Sequence, residues 1–230
     1  MLSHSVSVII PVRNGELYLA EAIDSVLKQT YPPHEVIVVD NGSTDGSRRA
    51  AERFARLVRV IDEPVPSIAR ARNAGVQAAS GDLIAFLDAD DLWDPPKLAR
   101  QIDVLEQQAE VDLVFTWMRD FISPELTEAQ RVGLAGRGAY EGWHASTMLC
   151  RTSALHAAGP MPEIPLGEFI AWYGVAQSAG LHSHMISDVL AKRRMHLQNT
   201  TRGLEDRNGY LQAAKLVLDS KRARGRAPGD

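Results

Sequence analysis

Apolar positions in the first hundred residues alternate between two periods. Val6-Ser7-Val8-Ile9-Ile10 is a short run that stops at Pro11 and reads as a buried strand. Leu17, Ala20, Ile23 and Leu27 then recur at helical spacing, with Asn14 placed to cap that helix and Pro32-Pro33 to end it. The alternation repeats. Residues 36–39 form a second strand closed by Asp40, and the turn chemistry of 41–46 leads into a helix ending near residue 55. A third strand over 58–61 follows, then a helix from a Ser67 cap through Ala79, then a fourth strand over 83–87.

The second half is less regular. Trp93-Asp94-Pro95-Pro96 opens a helix over 97–107, and 111–115 reads as a strand. Pro124, Gly133, Gly136, Gly138 and Gly142 mark 119–142 as a long mobile segment with a short helix. Residues 146–151 are strand-like, 169–179 form a short helix, and 183–187 and 190–195 are extended. A final helix is expected over 205–222, with 224–230 as a disordered tail.

Strand–helix alternation with continuously apolar strands predicts parallel βαβ units in an open, doubly wound α/β sheet. Ligands of such sheets bind outside the carboxyl ends of the strands. Polar residues fall at those ends: Arg13 and Asn14, then Asp40, then Asp62, then Asp88-Ala89-Asp90-Asp91. Carboxylates crowded at the mouth of a buried strand repel one another unless a cation sits among them. Asp88 and Asp90 are therefore candidate ligands for Mg²⁺ or Mn²⁺. The alternative is a polar turn capping the next helix, which Asp94 alone would satisfy.

Composition narrows the options. With 230 residues, 45% hydrophobic and 23% charged, the chain buries a sizeable core as one domain. A net charge of −4 gives no footprint for nucleic acid. The single cysteine, Cys150, excludes an internal disulfide and reads as a core thiol. No leader pattern and no run of 18 apolar residues are visible, so a cytoplasmic protein without a transmembrane segment is expected.

The first strand leads into Pro11-Val12-Arg13-Asn14-Gly15, which is neither a dinucleotide fingerprint nor a Walker A loop. Phosphates bound here need a metal, or arginines such as Arg70 and Arg72 beside Asn73. One-residue separation puts those two arginines on different sides of a helix, so one of them points at ligand. A metal-bound nucleoside diphosphate suits this chemistry. Asp40 is placed either to accept from a base or ribose or to cap its own turn.

VSVIIPVRNGELYLAEAIDSVLKQTYPPHEVIVVDNGSTDGS, residues 6–47, and ARNAGVQAASGDLIAFLDADDLWDP, residues 71–95, closely resemble the corresponding blocks of family 2 glycosyltransferases. The resemblance is dense in the N-terminal half and loose beyond it. It implies a GT-A fold, a Rossmann-like open mixed sheet whose N-terminal half is mainly parallel and flanked by helices. One domain over 1–223 is implied, with 1–95 binding the nucleotide sugar and 96–223 the acceptor. Pro11, Val12, Arg13, Asn14 and Asp40 would line the nucleotide pocket. Asp88 and Ala89 would meet the sugar nucleotide and Asp90 the metal, so that DADD plays the part of the family's DxD motif. The donor would be a UDP-, GDP- or dTDP-sugar, and the reaction an inverting transfer to an acceptor of unspecified kind.

An inverting transferase needs a carboxylate to take the acceptor's proton. In Gly167-Glu168-Phe169-Ile170-Ala171-Trp172-Tyr173, Glu168 is the one carboxylate in the stretch matching the family's Glu-Asp element. Either it is the base, or it is a first-turn helix residue. The customary Asp is Phe169 here, and the customary later Arg is absent at Gly174-Val175. A degenerate nucleotide-sugar-binding protein is thus the alternative function, with a sugar-nucleotide pyrophosphorylase behind it. Arg194, His196 and Asn199 resemble the family's R-x-H-x-x-N element, which offers His196 to metal or diphosphate and Arg194 to charge. Trp143, His144 and Trp172 are candidates for an acceptor groove, although core packing suits both tryptophans equally well. Lys215, Lys221, Arg222, Arg224 and Arg226 make the C-terminus basic, which leaves room for peripheral membrane contact.

Overall fold

A computed structural model of the chain describes residues 4–199 and 207–225. Four parallel strands start the sheet: β1 (Val6–Val12), β2 (Glu35–Asp40), β3 (Val58–Asp62) and β4 (Leu83–Phe86). Between them lie α1 (Leu19–Leu27), α2 (Ser47–Glu52) and α3 (Ile68–Ala78). The remainder is β5 (Leu92–Trp93), α4 (Lys97–Gln107), β6 (Leu113–Ile122), α5 (Glu128–Arg131), β7 (Ala139–Glu141), β8 (Leu149–Arg151), α6 (Thr152–Ala158), α7 (Glu168–Ser178), β9 (Ser183–Met195) and α8 (Arg207–Gly225). The strand order is β3-β2-β1-β4-β8-β6-β9-β5, with β7 paired to β6. Strand β8 runs antiparallel to both neighbours, so the sheet is parallel on the N-terminal side and mixed beyond it, as the sequence predicts.

Both faces of the sheet are covered. In β1, Val6, Val8, Ile10 and Val12 face α1 and α4, while Ile9 faces α3. Strands buried on both sides need unbroken apolar runs, and each Val or Ile so buried contributes about 1.5–3 kcal/mol. Helix α3 lies very close to β1: a Cβ on Gly75 would sit 2.3 Å from Ile9 Cγ2. Register then aligns the strand ends, pairing Val12 with Asp40 and Asp40 with Asp62.

Several expectations change. Asn14 does not cap α1; it has φ +55° and binds the neighbouring loop. The helix starts later and buries Leu19, Ala22, Ile23 and Val26, leaving Leu17 exposed. Segment 119–142 is ordered into the end of β6, α5 with a Thr127 capping box, and β7. Residues 145–147 form a 3₁₀ turn before β8, and α6 was not expected at all. Residues 183–195 are a single strand with an irregular register at 116–118 of its partner. The final helix continues to Gly225, into the stretch expected as tail, and 226–230 lie outside the described residues. Among the described residues no helix is long and apolar enough to cross a membrane.

Lys97 at the start of α4 is fully buried. Its Nζ donates to Gln101 Oε1 at 2.8 Å and lies 4.0 Å from the Trp93 ring centroid. Burial pushes its pKa well below the ordinary lysine value of 10.5. Between those two values the unfolded chain holds a proton that the folded chain lacks, so stability rises with pH across that window. Lys97→Met is expected to flatten this rise. Urea unfolding of both proteins at about pH 7 and about pH 9.5 checks it, and equal slopes would contradict it.

Candidate functional site

The loop after β1 supplies the first wall. Asn14 accepts from the Thr44 amide (2.8 Å) and its own N–H donates to Ser43 Oγ (3.1 Å). Gly15 N–H donates to Ser47 Oγ (2.8 Å), which knits this loop to the one following β2. Asp40 accepts from the Ser43 amide at 3.0 Å, so it caps its own turn. Asn41 pins the third loop, donating to the Glu63 and Val65 carbonyls and accepting from the Ser67 amide.

The acidic turn after β4 is held from beneath by Arg194, which is 1% exposed. Its Nε donates to the Asp90 carbonyl (3.0 Å), its amide to Asp91 Oδ1 (3.1 Å) and its guanidinium to Glu21 Oε2 (2.7 Å). The guanidinium also lies 4.7 Å from the ring centroids of both Tyr18 and Phe121. Arg194 is thus taken up by the turn and Glu21, outside the lining of the cavity where the sequence reading offers it to ligand charge. Asp94 likewise caps nothing with its side chain; it pairs with Lys192.

Above the turn, His196 Nε2 lies 2.9 Å from Asp90 Oδ2, and Asn199 Nδ2 lies 3.3 Å from the same oxygen. Asn199 Oδ1 accepts from the His196 amide at 2.6 Å, folding this segment back onto Asp90. The Tyr18 ring packs 4.6 Å from the imidazole. Buried Asp91 is pushed well above the usual carboxylate range by desolvation, and then by repulsion from Asp90 and Asp88.

Arg72 joins the two halves of the site. Only 4% exposed, it donates to Asp88 Oδ1 (2.7 Å) and to Glu168 Oε1 (2.5 Å). Burial alone would raise the Asp88 pKa, but the guanidinium outweighs it and holds that carboxyl below the usual range. Among the described residues, Arg72 Nε is a buried donor without a partner. Glu168 opens α7 directly after Gly167, which has φ +83°.

These walls enclose a cavity of about 510 Å³, within the range of small-molecule sites. Pro11, Val12, Arg13, Asn14, Arg72, Asp88, Ala89, Asp90, Glu168 and His196 all line it, so most of the residues singled out in the sequence converge. Four do not. Asp40 caps its turn and Arg194 clamps the acidic loop. Arg70 points away to Glu63 (3.2 Å) and Glu163 (3.3 Å), while Asn73 spends its amide on both backbone groups of Met161. Arg193, Asn41, Ser67 and Gln198 line the cavity but escaped the sequence reading. Strand alternation was the usable signal for Arg193: it sits on the face of β9 opposite Arg194. Trp172 is core, 1% exposed, with Nε1 donating to the Gly159 carbonyl at 3.0 Å. Among the described residues no three His, Cys, Asp or Glu side chains gather as a ready metal cage.

The family described as Glycosyl transferase family 2 matches residues 7–155. A glycosyltransferase of Nostoc sp. is 43% identical over 105 residues, 44% of this chain and 33% of that protein. The Escherichia coli UDP-Glc:alpha-D-GlcNAc-diphosphoundecaprenol beta-1,3-glucosyltransferase WfgD is 40% identical over 107 residues, 46% of this chain and 42% of that protein. The chain thus spans less than half the length of these curated relatives. Among solved structures, S. aureus TarS 1-349 in complex with UDP-GlcNAc is similar with a TM-score of 0.78 at 20% identity, covering 98% of this chain and 68% of that one. The mannosyltransferase PcManGT from Pyrobaculum calidifontis, in complex with GDP-Man and Mn²⁺, gives 0.66 at 20% identity, covering 99% and 65%. These likenesses show the fold class.

Proposed function

The chain belongs to glycosyltransferase family 2, and from that premise we propose that its cavity binds a nucleoside-diphosphate sugar and transfers the sugar, with inversion, to an acceptor hydroxyl. One observation carries the reading: an acidic turn and a facing carboxylate, Glu168, share one cavity and are tied together by Arg72. The TarS and PcManGT complexes hold UDP-GlcNAc and GDP-Man, which supports the same ligand class here.

In this reading the 11–15 loop borders the nucleotide, and Arg13 and Arg193 face the diphosphate. Asp88 and Arg72 border the sugar. Glu168 takes the acceptor proton as the acceptor oxygen bonds to the anomeric carbon and the bond from that carbon to the diphosphate breaks. Asp90 and His196, adjacent oxygen and nitrogen donors, are the residues that would hold a divalent cation. Two protein donors suffice where diphosphate and water complete the shell. Mg²⁺ or Mn²⁺ bound there would offset the charge on the departing diphosphate.

A second reading, a nucleotide-sugar binder without turnover, is favoured by Phe169. It is 6% exposed and packs against Trp172 and Phe115 where the family customarily has a carboxylate. Thermal unfolding with UDP, GDP and dTDP, each with and without Mn²⁺, tests the shared donor site. One nucleotide at about a hundred times its Kd should raise Tm by roughly 5–10 °C, and only with metal. No shift with any nucleotide under either condition would remove both readings. Stabilisation without consumption of any UDP-, GDP- or dTDP-sugar would leave the second.

A further inference from the structure

We infer that α8 is a strut that sets where α7 begins, so that Gly174 and Gly209 are positioning residues for the Glu168 carboxylate, although neither lines the cavity. The inference rests on Glu168 as the base, proposed above, and goes beyond it by naming what holds that base in place.

The end of α7 that carries Glu168 needs support. Residues 160–167 lead into it without helix or strand, and Gly167 enters the helix at φ +83° with no side-chain cap. Pro165, Leu166 and Glu168 all line the cavity, so the position of this junction shapes the site. Asn73 pins the loop at its far end, through both backbone groups of Met161. On the cavity side, Glu168 meets Arg72.

Behind the junction lies α8. Gly209, buried in its first turn, rests on the Leu166 backbone: a Cβ there would be 2.8 Å from Leu166 Cβ and 3.0 Å from its carbonyl oxygen. The space beside Gly167 is closed by Tyr210 Cδ1 and Ala213 Cβ, 3.4 Å and 3.5 Å from where a Cβ would stand. Further along α7, a Cβ on Gly174 would strike Val217 Cγ2 and lie 3.0 Å from Cγ1. Gly209, Ala213 and Val217 recur every four residues, so one face of α8 follows α7 from Gly174 back to Gly167. Gly174 is also one of the two positions where the customary arginine of the resemblance is absent, and Val217 occupies the room such a side chain would need.

Glycine permits this close approach, and packing so tight has no slack. A methyl group added to the seam must tilt or slide one helix, and the Leu166–Glu168 junction carries that movement into the cavity. A base works only within hydrogen-bond reach of the proton it takes. Misplacing it by about 1 Å costs rate far more than donor affinity, because the proposed nucleotide contacts sit on other elements.

Three variants of the full chain test the strut: Gly174→Ala, Gly209→Ala, and Gly174→Ala combined with Val217→Ala. The last removes both opposing methyl groups and leaves Val217 Cβ at 3.3 Å as the nearest atom of that residue. Turnover is followed as consumption of UDP-glucose, UDP-N-acetylglucosamine, GDP-mannose or dTDP-glucose with Mn²⁺. Each single variant should lose about 10–100-fold in kcat with donor KM nearly unchanged, and the double variant should recover most of the rate. A seam that served stability alone would lower Tm and leave kcat as it was. Placement is also read without turnover. The carboxyl ¹³C signal of Glu168, assigned as the one missing from Glu168→Gln, should move in both single variants and return in the double one. An unmoved signal in both single variants, or a Gly174→Ala loss that Val217→Ala does not reverse, would overturn the inference. A signal that moves and returns, in a chain whose Glu168→Gln variant keeps the wild-type rate, would instead remove Glu168 as the base.

Discussion

Arg72→Met is expected to lower folding stability by about 3–5 kcal/mol, more than any other single change at the site. The guanidinium is the shared partner of Asp88 and Glu168, and its removal leaves two carboxylates facing one another with no cation between them. Breaking a buried ion pair from one side strands the other charge, and here it strands two. The figure should fall near its lower end, because the Asp88 side chain is 38% exposed and water can reach it. Acid should narrow the deficit. Arg72 holds the Asp88 pKa below its ordinary value against the pull of burial, so its contribution exists above the unfolded aspartate pKa. That contribution is lost as pH falls through the depressed folded value. Arg72→Lys supplies a compact charge that cannot bridge both carboxylates, and should recover only part of the loss. Chemical denaturation of the two variants at neutral pH and at about pH 3, below the unfolded aspartate pKa, measures all of this. A deficit below about 1 kcal/mol for Arg72→Met would mean that the bridge is a surface contact in disguise.

Glu168→Gln should lower kcat for transfer by about 10²–10⁴-fold and leave donor KM nearly unchanged. Glutamine preserves the shape and can still accept from Arg72 through its amide oxygen, so the fold and the cation's position are retained. What it cannot do is hold the acceptor's proton. A variant that lost donor affinity in proportion to rate would instead give Glu168 a binding role. A variant transferring at the wild-type rate would move the base elsewhere.

How far the sequence could reach depended on what kind of neighbour each residue has. Strands β1 and β2 were plain because burial on both faces forces unbroken apolar runs. Asp88 and Asp90, which line the cavity, stand out in the sequence because carboxylates crowd the end of a buried strand. Arg72 against Arg70 was settled by long-range packing, yet a trace was present. Ala69, Arg72 and Gly75 recur every three residues and form the buried face of α3, which excludes Arg70 from the cleft. Arg194 misled because its spacing to His196 matched, while its contacts, Glu21 and the Asp90 carbonyl, come from segments over a hundred residues away. Asp40 had two local uses, and the structure shows the turn-capping one. Helix α6 was missed although Gly159, whose φ of +81° favours glycine, ends it. Segment 119–142 was misjudged because its glycines were weighed without the partner strands that order it.

The most direct test of the account is the anomeric configuration of the first product released. An α-linked donor, drawn from whichever nucleotide stabilises the protein, would be consumed in the presence of Mn²⁺ and the product followed by proton NMR before mutarotation. With Glu168 activating the acceptor across the cleft from the departing diphosphate, the β-anomer should appear first, and Glu168→Gln should suppress it. An α-anomer appearing first, or a β-anomer formed equally fast by Glu168→Gln, would contradict it.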